Sequence, residues 1–421
     1  MDLRRTIQHF IPDLYDRLDR ITDHRKRHDY TMTEILLGAL FMFICKQDSR
    51  NAANNDGANS TFVANYETLF GKRLPHMDTV DEVLRAVDND EIEYLKSALI
   101  ALLIEKKVFG KFRLLDTFYR VAVDATGVMN VSEGHCPHCL HKTSKNGIVT
   151  YFHNILEAKL ITPNGFAMSL ASEWIENPNE YDKQDCELKA FKRLAMKLKA
   201  FYPRLPICIL GDGLYPNAPF FDICKTNNWR FVVTLKDASL KSLWEEIDLE
   251  LLTNSKNIKF SSQPQRNISQ TYRWLAGLTY QEHNLSWVEC VEERDSKVNR
   301  FVYLTDIESS FDNVMELVTS GRMRFKIENE GFNTLKNGGY NLSHKFSRVS
   351  SVAMKNYVSL MQIAHLINQL YELSTLTKKL LIGKETLKSI WKAFIGCITH
   401  TVLVEADVIA ACAGRFQIRY E

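Results

Sequence analysis

The feature that most constrains the fold is a change in hydrophobic period near Leu114. Before it, apolar residues recur every three or four positions in MTEILLGALFMFICK and DTVDEVLRAVDNDEIEYLKSALIALLIEKKV, a spacing that predicts helices. After it come short apolar runs, RVAVDAT, IVTYFHNILEAKLI and GFAMSLASEWIE, which are typical of strands. The polar stretch SRNAANNDGANS at residues 49–60 separates two of the helices, and its Asn and Gly content predicts a loop or a helix-breaking junction.

The strand region continues with elements of both kinds. A basic amphipathic helix is expected over residues 182–201, and the buried-type strand LPICILGD follows it. A second helix over residues 216–227 begins at a proline, and WRFVVTLK supplies one more strand. The order of three strands, helix, strand, helix and strand predicts an α/β fold with a mixed sheet flanked by helices. Residues at the carboxyl ends of its strands can converge on one rim.

The chain is expected to divide into several regions. In residues 240–309, QTYRWLAGLTY, LSWVECVEE and RFVYLTDI alternate as strands and predict an all-β insertion, after which helical periodicity returns. The predicted units are a helical N-terminal domain at 1–110, the first part of the α/β core at 111–239, a β-rich insertion at 240–309, the second part of the core at 310–373, and a helical C-terminal region at 374–421.

The charge and the apolar content of the chain limit which partners it can have and where in the cell it can be. Lys and Arg number 53 against 51 Asp and Glu, so a nucleic acid would be bound by local basic clustering and not by the net charge. The longest apolar run, ILLGALFMFIC, is shorter than the roughly 20 residues of a membrane span, and no secretory signal pattern opens the chain. We expect a soluble cytoplasmic protein with no membrane partner, whose nine cysteines are mostly reduced core thiols.

Two isolated aspartates follow predicted strands. Asp124 in VAVDATG is expected to end the first strand, and Asp212 in ILGDGLYPN follows the fourth. Gly211 and Gly213 flank the second aspartate and would permit close approach of a metal or phosphate. The alternative for either acid alone is a helix cap, which is a common role for an aspartate at a strand end.

A third acid lies in the charged stretch RMRFKIENEGFNTLK at residues 322–336. In a helix Arg324 and Glu328 would share a face, and the guanidinium would lower the pKa of the carboxyl and keep it anionic. Glu330 lies two residues on and so on a different face. Three carboxylates suit Mg²⁺ or Mn²⁺, and a pair of such ions can activate water or a 3′-hydroxyl at phosphorus. The alternative for Glu328 is a solvated helix acid paired with Arg324.

This arrangement resembles the RNase H-like DDE transposases of bacterial insertion sequences. It is similar to the branch whose third acid lies in a Tyr-x2-Arg-x3-Glu-x6-Lys pattern: Arg324 and Glu328 match, Gly321 replaces the tyrosine, and Lys336 comes one residue late. The likeness runs over residues 23–351, because DHRKRHDYTMTEILLGAL and LPHMDTVDEVLR are similar to the helical N-terminal region of these enzymes.

The resemblance implies a function and a site. Asp124, Asp212 and Glu328 would be the catalytic and Mg²⁺-binding acids of a transposase that cleaves double-stranded DNA at transposon ends and transfers the strand into target DNA. Arg324 and Lys336 would position a phosphate or the scissile strand. A homodimer at two bound ends and a bacterial, nucleoid-associated location follow from the family. The alternatives are a catalytically inactive DNA-binding regulator and a hydrolytic nuclease of the same fold.

Basic residues cluster around and after the third acid. They outnumber the acids there and predict a phosphate-contacting surface, with a solvated helix face as the alternative. The candidate DNA-binding residues are Arg322, Arg324, Lys336, His344, Lys345 and Arg348. An earlier cluster, HRKRH at residues 24–28, is a second candidate for backbone contact, and a solvated loop is its alternative.

A separate metal site is predicted in GHCPHCLHK. Cys136 and Cys139 have C-x2-C spacing with histidines interleaved, and tetrahedral Zn²⁺ could take two thiolates and two further ligands. The second pair expected of a zinc site is absent from the sequence nearby. His153 and Cys186 could complete a structural zinc site only if the fold brings them near, and the alternative is a loop carrying free thiols.

Overall fold

Helices fill the region before the first strand, as the periodicity predicts. The computed structural model describes residues 2–131, 136–253, 256–381, 383 and 385–413. Its first helices are α1 (Asp2–Phe10), α2 (Leu14–Asp19), α3 (Met32–Ile44), α4 (Arg50–Gly57), α5 (Ser60–Phe70), α6 (Met77–Leu84) and α7 (Asn89–Glu105). The loop predicted at residues 49–60 is wrong, because α4 occupies most of it. The Ser49 hydroxyl caps this helix by accepting a hydrogen bond from the Ala52 amide at 3.2 Å.

The predicted mixed sheet is confirmed. Its first half contains β1 (Tyr119–Val131), β2 (Leu140–Thr143), β3 (Val149–Ile161), β4 (Ala167–Ile175), β5 (Ile207–Gly211) and β6 (Arg230–Thr234). β3 pairs antiparallel with both β1 and β4, whereas β5 pairs parallel with β1 and β6. The spatial order β4-β3-β1-β5-β6 therefore joins three antiparallel strands to two parallel ones. The short β2, which the sequence did not predict, pairs with the start of β3.

The strands after residue 240 extend this sheet. They are β7 (Ile258–Gln263), β8 (Ile268–Tyr280), β9 (His283–Arg294) and β10 (Lys297–Thr305), and β10 pairs antiparallel with β6. The prediction that residues 240–309 are all β is wrong, because the segment begins with helix α10 (Lys241–Thr253). Leu243 and Ile247, four residues apart, are the buried residues of that helix.

Helices cover both faces of the sheet, and alternate β1 residues face the two cores. Val121 and Val123 pack in one core with α8 (Glu187–Phe201) and α9 (Ala218–Asn227). Ala122 packs in the other core with α11 (Val314–Met323). The period-two alternation of a strand thus places apolar residues in both layers.

The C-terminal helices pack against the N-terminal ones. They are α12 (Thr334–Asn337), α13 (Ser351–Glu372), α14 (Thr375–Leu380), α15 (Leu387–His400) and α16 (Glu405–Ala413). α13 is buried along most of its length and contacts α3, α7 and β4. The Asn65 amide donates to the carbonyls of Ile398 at 2.6 Å and Thr401 at 2.7 Å, which fastens α15 to α5. Within the described residues, every helix is too short or too polar to cross a bilayer.

Candidate active site

Asp124 lies within β1 and not at its end, so the predicted strand boundary is wrong. β1 continues to Val131 because β3 pairs with it as far as Tyr151. The pairing of β1 with β5, in contrast, stops at Ala122. Asp124 is therefore two residues past Ala122, the last β1 residue that pairs with β5, and its side chain is 23% exposed. The edge of the sheet at which we expected both aspartates is formed by the end of β5, and β1 extends beyond it.

Asp212 follows β5 directly, as predicted. Its Oδ1 accepts a hydrogen bond from the Leu214 amide at 2.9 Å, which holds the carboxylate in the turn after the strand. Because β5 is the parallel neighbour of β1, both aspartates lie at the same end of this strand pair. Their charges interact, since the anion of Asp212 contributes to the raised pKa of Asp124.

Glu328 lies on a π-helix, Ile327–Asn333, and not on the α-helix that the sequence predicts. α11 ends at Met323, and Arg324 lies in the turn between the two helices. Such π segments often occur at functional sites. The predicted pairing with Arg324 is nevertheless present, with Nη1 2.9 Å from Glu328 Oε1. Glu330 is bonded to Lys326 instead, at 2.7 Å.

Arg324 connects the acids across the fold. Its Nη1 also lies 3.0 Å from Asp124 Oδ2, and the arginine side chain is only 10% exposed. One buried guanidinium thus contacts two of the three acids that the sequence singles out. Charge-assisted hydrogen bonds of this kind are among the stronger polar contacts in proteins.

The environment of Asp124 raises its pKa to about 6. Burial is the main cause, because it disfavours the charged form. The positive charge of Arg324 opposes the shift, whereas the negative charges of Glu328 and Asp212 add to it. The protonation of Asp124 therefore changes close to neutral pH.

Glu187 is a fourth acid near the group, and the sequence reasoning missed it. It lies in the first turn of α8, and its Oε1 accepts a hydrogen bond from the Tyr215 hydroxyl at 2.8 Å. Burial raises its pKa, and the charges of Asp124 and Asp212 contribute. Acids are common in the first turn of a helix because they interact favourably with the helix dipole. The position of Glu187 in the sequence therefore did not indicate a functional role.

The glycines around Asp212 accommodate protein side chains, and their role in admitting a metal or phosphate stays a prediction. A β-carbon on Gly211 would lie 2.9 Å from the Tyr215 ring, and one on Gly213 would meet the side chain of Lys236. Gly211 thus lets Tyr215 pack close to β5 and reach Glu187.

Gly321, where the resembling family has tyrosine, is also in close contact with an aromatic ring. A β-carbon at this position would lie 2.5 Å from the ring of Tyr303 on β10. Tyr303 is 4% exposed and lines a cleft of about 490 Å³ with Asp212, Lys236 and Arg324. The absence of a side chain at 321 therefore allows α11 to approach β10 beside this cleft.

The predicted DNA-binding residues differ in their availability. Arg322 is bonded to Glu292, with Nη1 2.6 Å from Oε2, and Arg324 is bonded to the acids described above. Lys336 is half-buried, and burial lowers its pKa. The remaining three follow the π-helix in the chain: His344 and Lys345 are half-buried and Arg348 is exposed. Ion pairs within the protein thus already use the two arginines closest to the third acid.

The structure brings the predicted zinc ligands together in part. Cys136, Cys139 and His153 place one ligand atom each within 4.8 Å of one another, and this is the only such group of histidines, cysteines and acids in the described part of the chain. Cys186 is exposed and is not in the group. His135 lies outside the described residues. Asp124, Asp212 and Glu328 are therefore more widely spaced than this group, with Arg324 between two of them.

Comparison with known proteins adds no identification. No protein-family model matches the sequence, and a search of curated proteins found no match. The geometry and chemistry of the residues therefore carry the functional argument.

Proposed function

We propose that this chain is a DDE transposase, a metal-dependent enzyme that cleaves double-stranded DNA at transposon ends and transfers the cut strand into target DNA. The observation that carries the proposal is that the Arg324 guanidinium contacts both Asp124 and Glu328, while Asp212 lies near enough for its charge to add to the raised pKa of Asp124. Acids with perturbed pKa values beside a cleft are frequent in active sites.

The topology supports an RNase H-like core. Three antiparallel strands are followed along the chain by a helix, a parallel strand, a helix and another parallel strand, in the spatial order β4-β3-β1-β5-β6. The first aspartate is on the central β1, and the second follows its neighbour β5. This is the order of elements and acids on which the resemblance to DDE transposases depends.

The three acids offer carboxylate oxygens, which are the kind of donor atom that Mg²⁺ and Mn²⁺ prefer. Mg²⁺ is usually held by one or two carboxylates while its other positions take water and substrate phosphate, so Asp124 and Asp212 would hold the ion without all three acids touching. When bound, the metal would activate water or a 3′-hydroxyl and stabilise the leaving oxygen. Burial is the main cause of the raised pKa of Asp124, and the repulsion from Glu328 and Asp212 that adds to it is the kind of interaction that a divalent cation relieves.

The protein's own residues would have separate roles. Glu328 would complete the acidic site, and Arg324 would hold Asp124 and Glu328 in position until DNA phosphate competes for its guanidinium. Lys336 would position the scissile strand, and Arg322, His344, Lys345 and Arg348 would supply further contacts to the DNA backbone. Holding two transposon ends together would require a homodimer. The enzyme would act at the nucleoid in the bacterial cytoplasm.

The test uses duplexes carrying the inverted repeats that flank the coding sequence. With Mg²⁺, the wild-type protein should nick these ends and join them to target DNA. Asp124→Asn and Glu328→Gln should lose cleavage by at least about 100-fold while still binding the duplex. Glu330→Gln is the matched control, since Glu330 pairs with Lys326 and not with Arg324, and it should remain active.

Other outcomes would replace the proposal. Cleavage without joined products would identify a hydrolytic nuclease of this fold. Binding of the ends without cleavage by the wild-type protein would identify a DNA-binding regulator. Full activity of Asp124→Asn would remove the acidic group from the chemistry.

A further inference from the structure

The Cys136, Cys139 and His153 group is independent of the acidic site. β3 places His153 opposite Met129 of β1, and Asp124 lies five residues earlier on the same strand. At about 3.3 Å per residue, that separation along β1 is about 16 Å. A metal at the cysteines is therefore a different ion from one at the aspartates.

The three ligand atoms have the spacing of a tetrahedral zinc centre. The two sulfurs are 3.7 Å apart, and His153 Nε2 lies 3.5 Å from Cys136 Sγ and 3.2 Å from Cys139 Sγ. With Zn–S of about 2.3 Å and Zn–N of about 2.0 Å, the edges of a regular tetrahedron are about 3.8 Å for S···S and about 3.5 Å for S···N. Two of the three distances are within about 0.1 Å of these values.

A carboxylate lies behind the histidine. Glu176 Oε1 is 3.5 Å from His153 Nδ1, on the side of the ring away from the sulfurs, and Glu176 Oε2 is bonded to Lys355 of α13 at 2.7 Å. A carboxylate on the second nitrogen of a ligating histidine fixes its tautomer and orientation in many zinc sites. His153 itself is fully buried, so its ring has a defined direction.

The protein backbone also shapes the cysteine turn. The Cys136 amide donates to Cys139 Sγ at 3.4 Å, and the Asn177 side chain donates to the Cys139 carbonyl at 2.9 Å. His138, the interleaved histidine, is bonded to the Asn177 carbonyl at 2.9 Å and so is directed away from the sulfurs. The turn thus presents both thiols to His153, while His138 and the Cys139 carbonyl are hydrogen-bonded to Asn177.

We propose that Cys136, Cys139 and His153 bind one Zn²⁺, with the ring of His153 oriented by Glu176. The ion joins the turn before β2 to the middle of β3 and so fixes the far end of the β1–β3 pair. Its role is structural, because no acid of the phosphoryl-transfer site lies within the group. The inference stands apart from the proposed function, since zinc content and DNA cleavage are measured separately.

The first experiment measures metal content in full-length protein purified without chelator. Elemental analysis should find one zinc per chain, and X-ray absorption should show two sulfur and two nitrogen or oxygen neighbours. Cys139→Ser and His153→Asn should each lose the zinc. Cys186→Ser is the matched control, because Cys186 is an exposed cysteine outside the group, and it should keep one zinc per chain.

A second variant tests the orienting carboxylate and does not depend on removing a ligand. Glu176→Gln should retain zinc but lose it to a competing chelator at a concentration about 10- to 100-fold lower than the wild-type protein needs. The wild-type measurements remain decisive if the ligand variants fail to fold. Wild-type protein that binds no zinc from excess Zn²⁺ with its thiols reduced, or that carries a Cys136–Cys139 disulfide in place of metal, would overturn the proposal.

Discussion

The Arg324 guanidinium lies 3.0 Å from the carboxylate of Asp124, which precedes it in the chain by 200 residues. The same nitrogen lies 2.9 Å from Glu328, four residues later. This double contact joins the central strand of the sheet to the π-helix. The positive charge of Arg324 is also the main factor that lowers the pKa of Asp124, and it opposes the larger increase that burial causes.

Arg324→Gln should therefore shift the pH dependence of DNA cleavage. Without the arginine, the pKa of Asp124 should rise above about 6, because only the hydrogen bond from the Ala125 amide would still oppose burial and the neighbouring anions. The acidic limb of the rate profile should move to higher pH, and more so when the metal concentration is limiting. Arg322→Gln is the control, since Arg322 is bonded to Glu292. An unchanged limb in Arg324→Gln would show that Asp124 does not control it.

Asp124 should also affect the pH dependence of folding. Its pKa is raised, so between about pH 4 and 6 the folded state binds the proton more tightly than the unfolded state, and stability falls as pH rises through this window. Asp124→Asn cannot ionise, and relative to wild type it should gain on the order of 2 kcal/mol of stability between pH 4 and pH 7.5.

Urea unfolding at the two pH values, without divalent metal, measures this difference. Asp312→Asn, which changes an exposed aspartate, should show a difference near zero. An Asp124→Asn variant whose stability relative to wild type is the same at both pH values would contradict the raised pKa.

Gly321 should tolerate no larger residue. Gly321→Ala would place a β-carbon 2.5 Å from the buried Tyr303 ring, and overpacking of this kind typically costs about 1–3 kcal/mol. Gly396→Ala is the matched control, because its β-carbon would meet nothing within 4 Å inside α15, and it should be neutral or stabilising by up to about 1 kcal/mol. Equal melting temperatures for the two variants would contradict the close approach of α11 to β10.

A buried ion pair on β3 should be sensitive to loss of one partner. Glu157 and Lys159 are fully buried, with Nζ and Oε2 2.5 Å apart. Lys159→Met should destabilise the protein by about 3–5 kcal/mol, because it removes a partner of a buried carboxylate. Adding Glu157→Gln should recover part of the loss. The partly exposed pair of Lys326 and Glu330 is the control: Lys326→Met should cost less than about 1 kcal/mol by urea unfolding.

Much of the secondary structure was predictable because local periodicity reports burial. The strands RVAVDAT, LPICILGD and WRFVVTLK correspond to β1, β5 and β6, and the helices before residue 110 are present. The errors have local causes. Most of residues 49–60 forms α4 because Ser49 caps this helix and Ala53 is buried, and α10 was missed because few of its residues are buried. The proposed division into domains stays a prediction.

The sequence by itself determined the order along the chain of β1, β3, β4, β5 and β6, the candidate acids at Asp124, Asp212 and Glu328, the spacing of Arg324 to Glu328, and the C-x2-C pair. Tertiary structure alone decided which distant groups meet. It placed Arg324 against Asp124, brought Glu187 near the aspartates, and chose His153 over Cys186 as the neighbour of the cysteines. The physical reason is that strand register and helix packing are fixed by many weak contacts between remote segments, and local spacing carries no record of them.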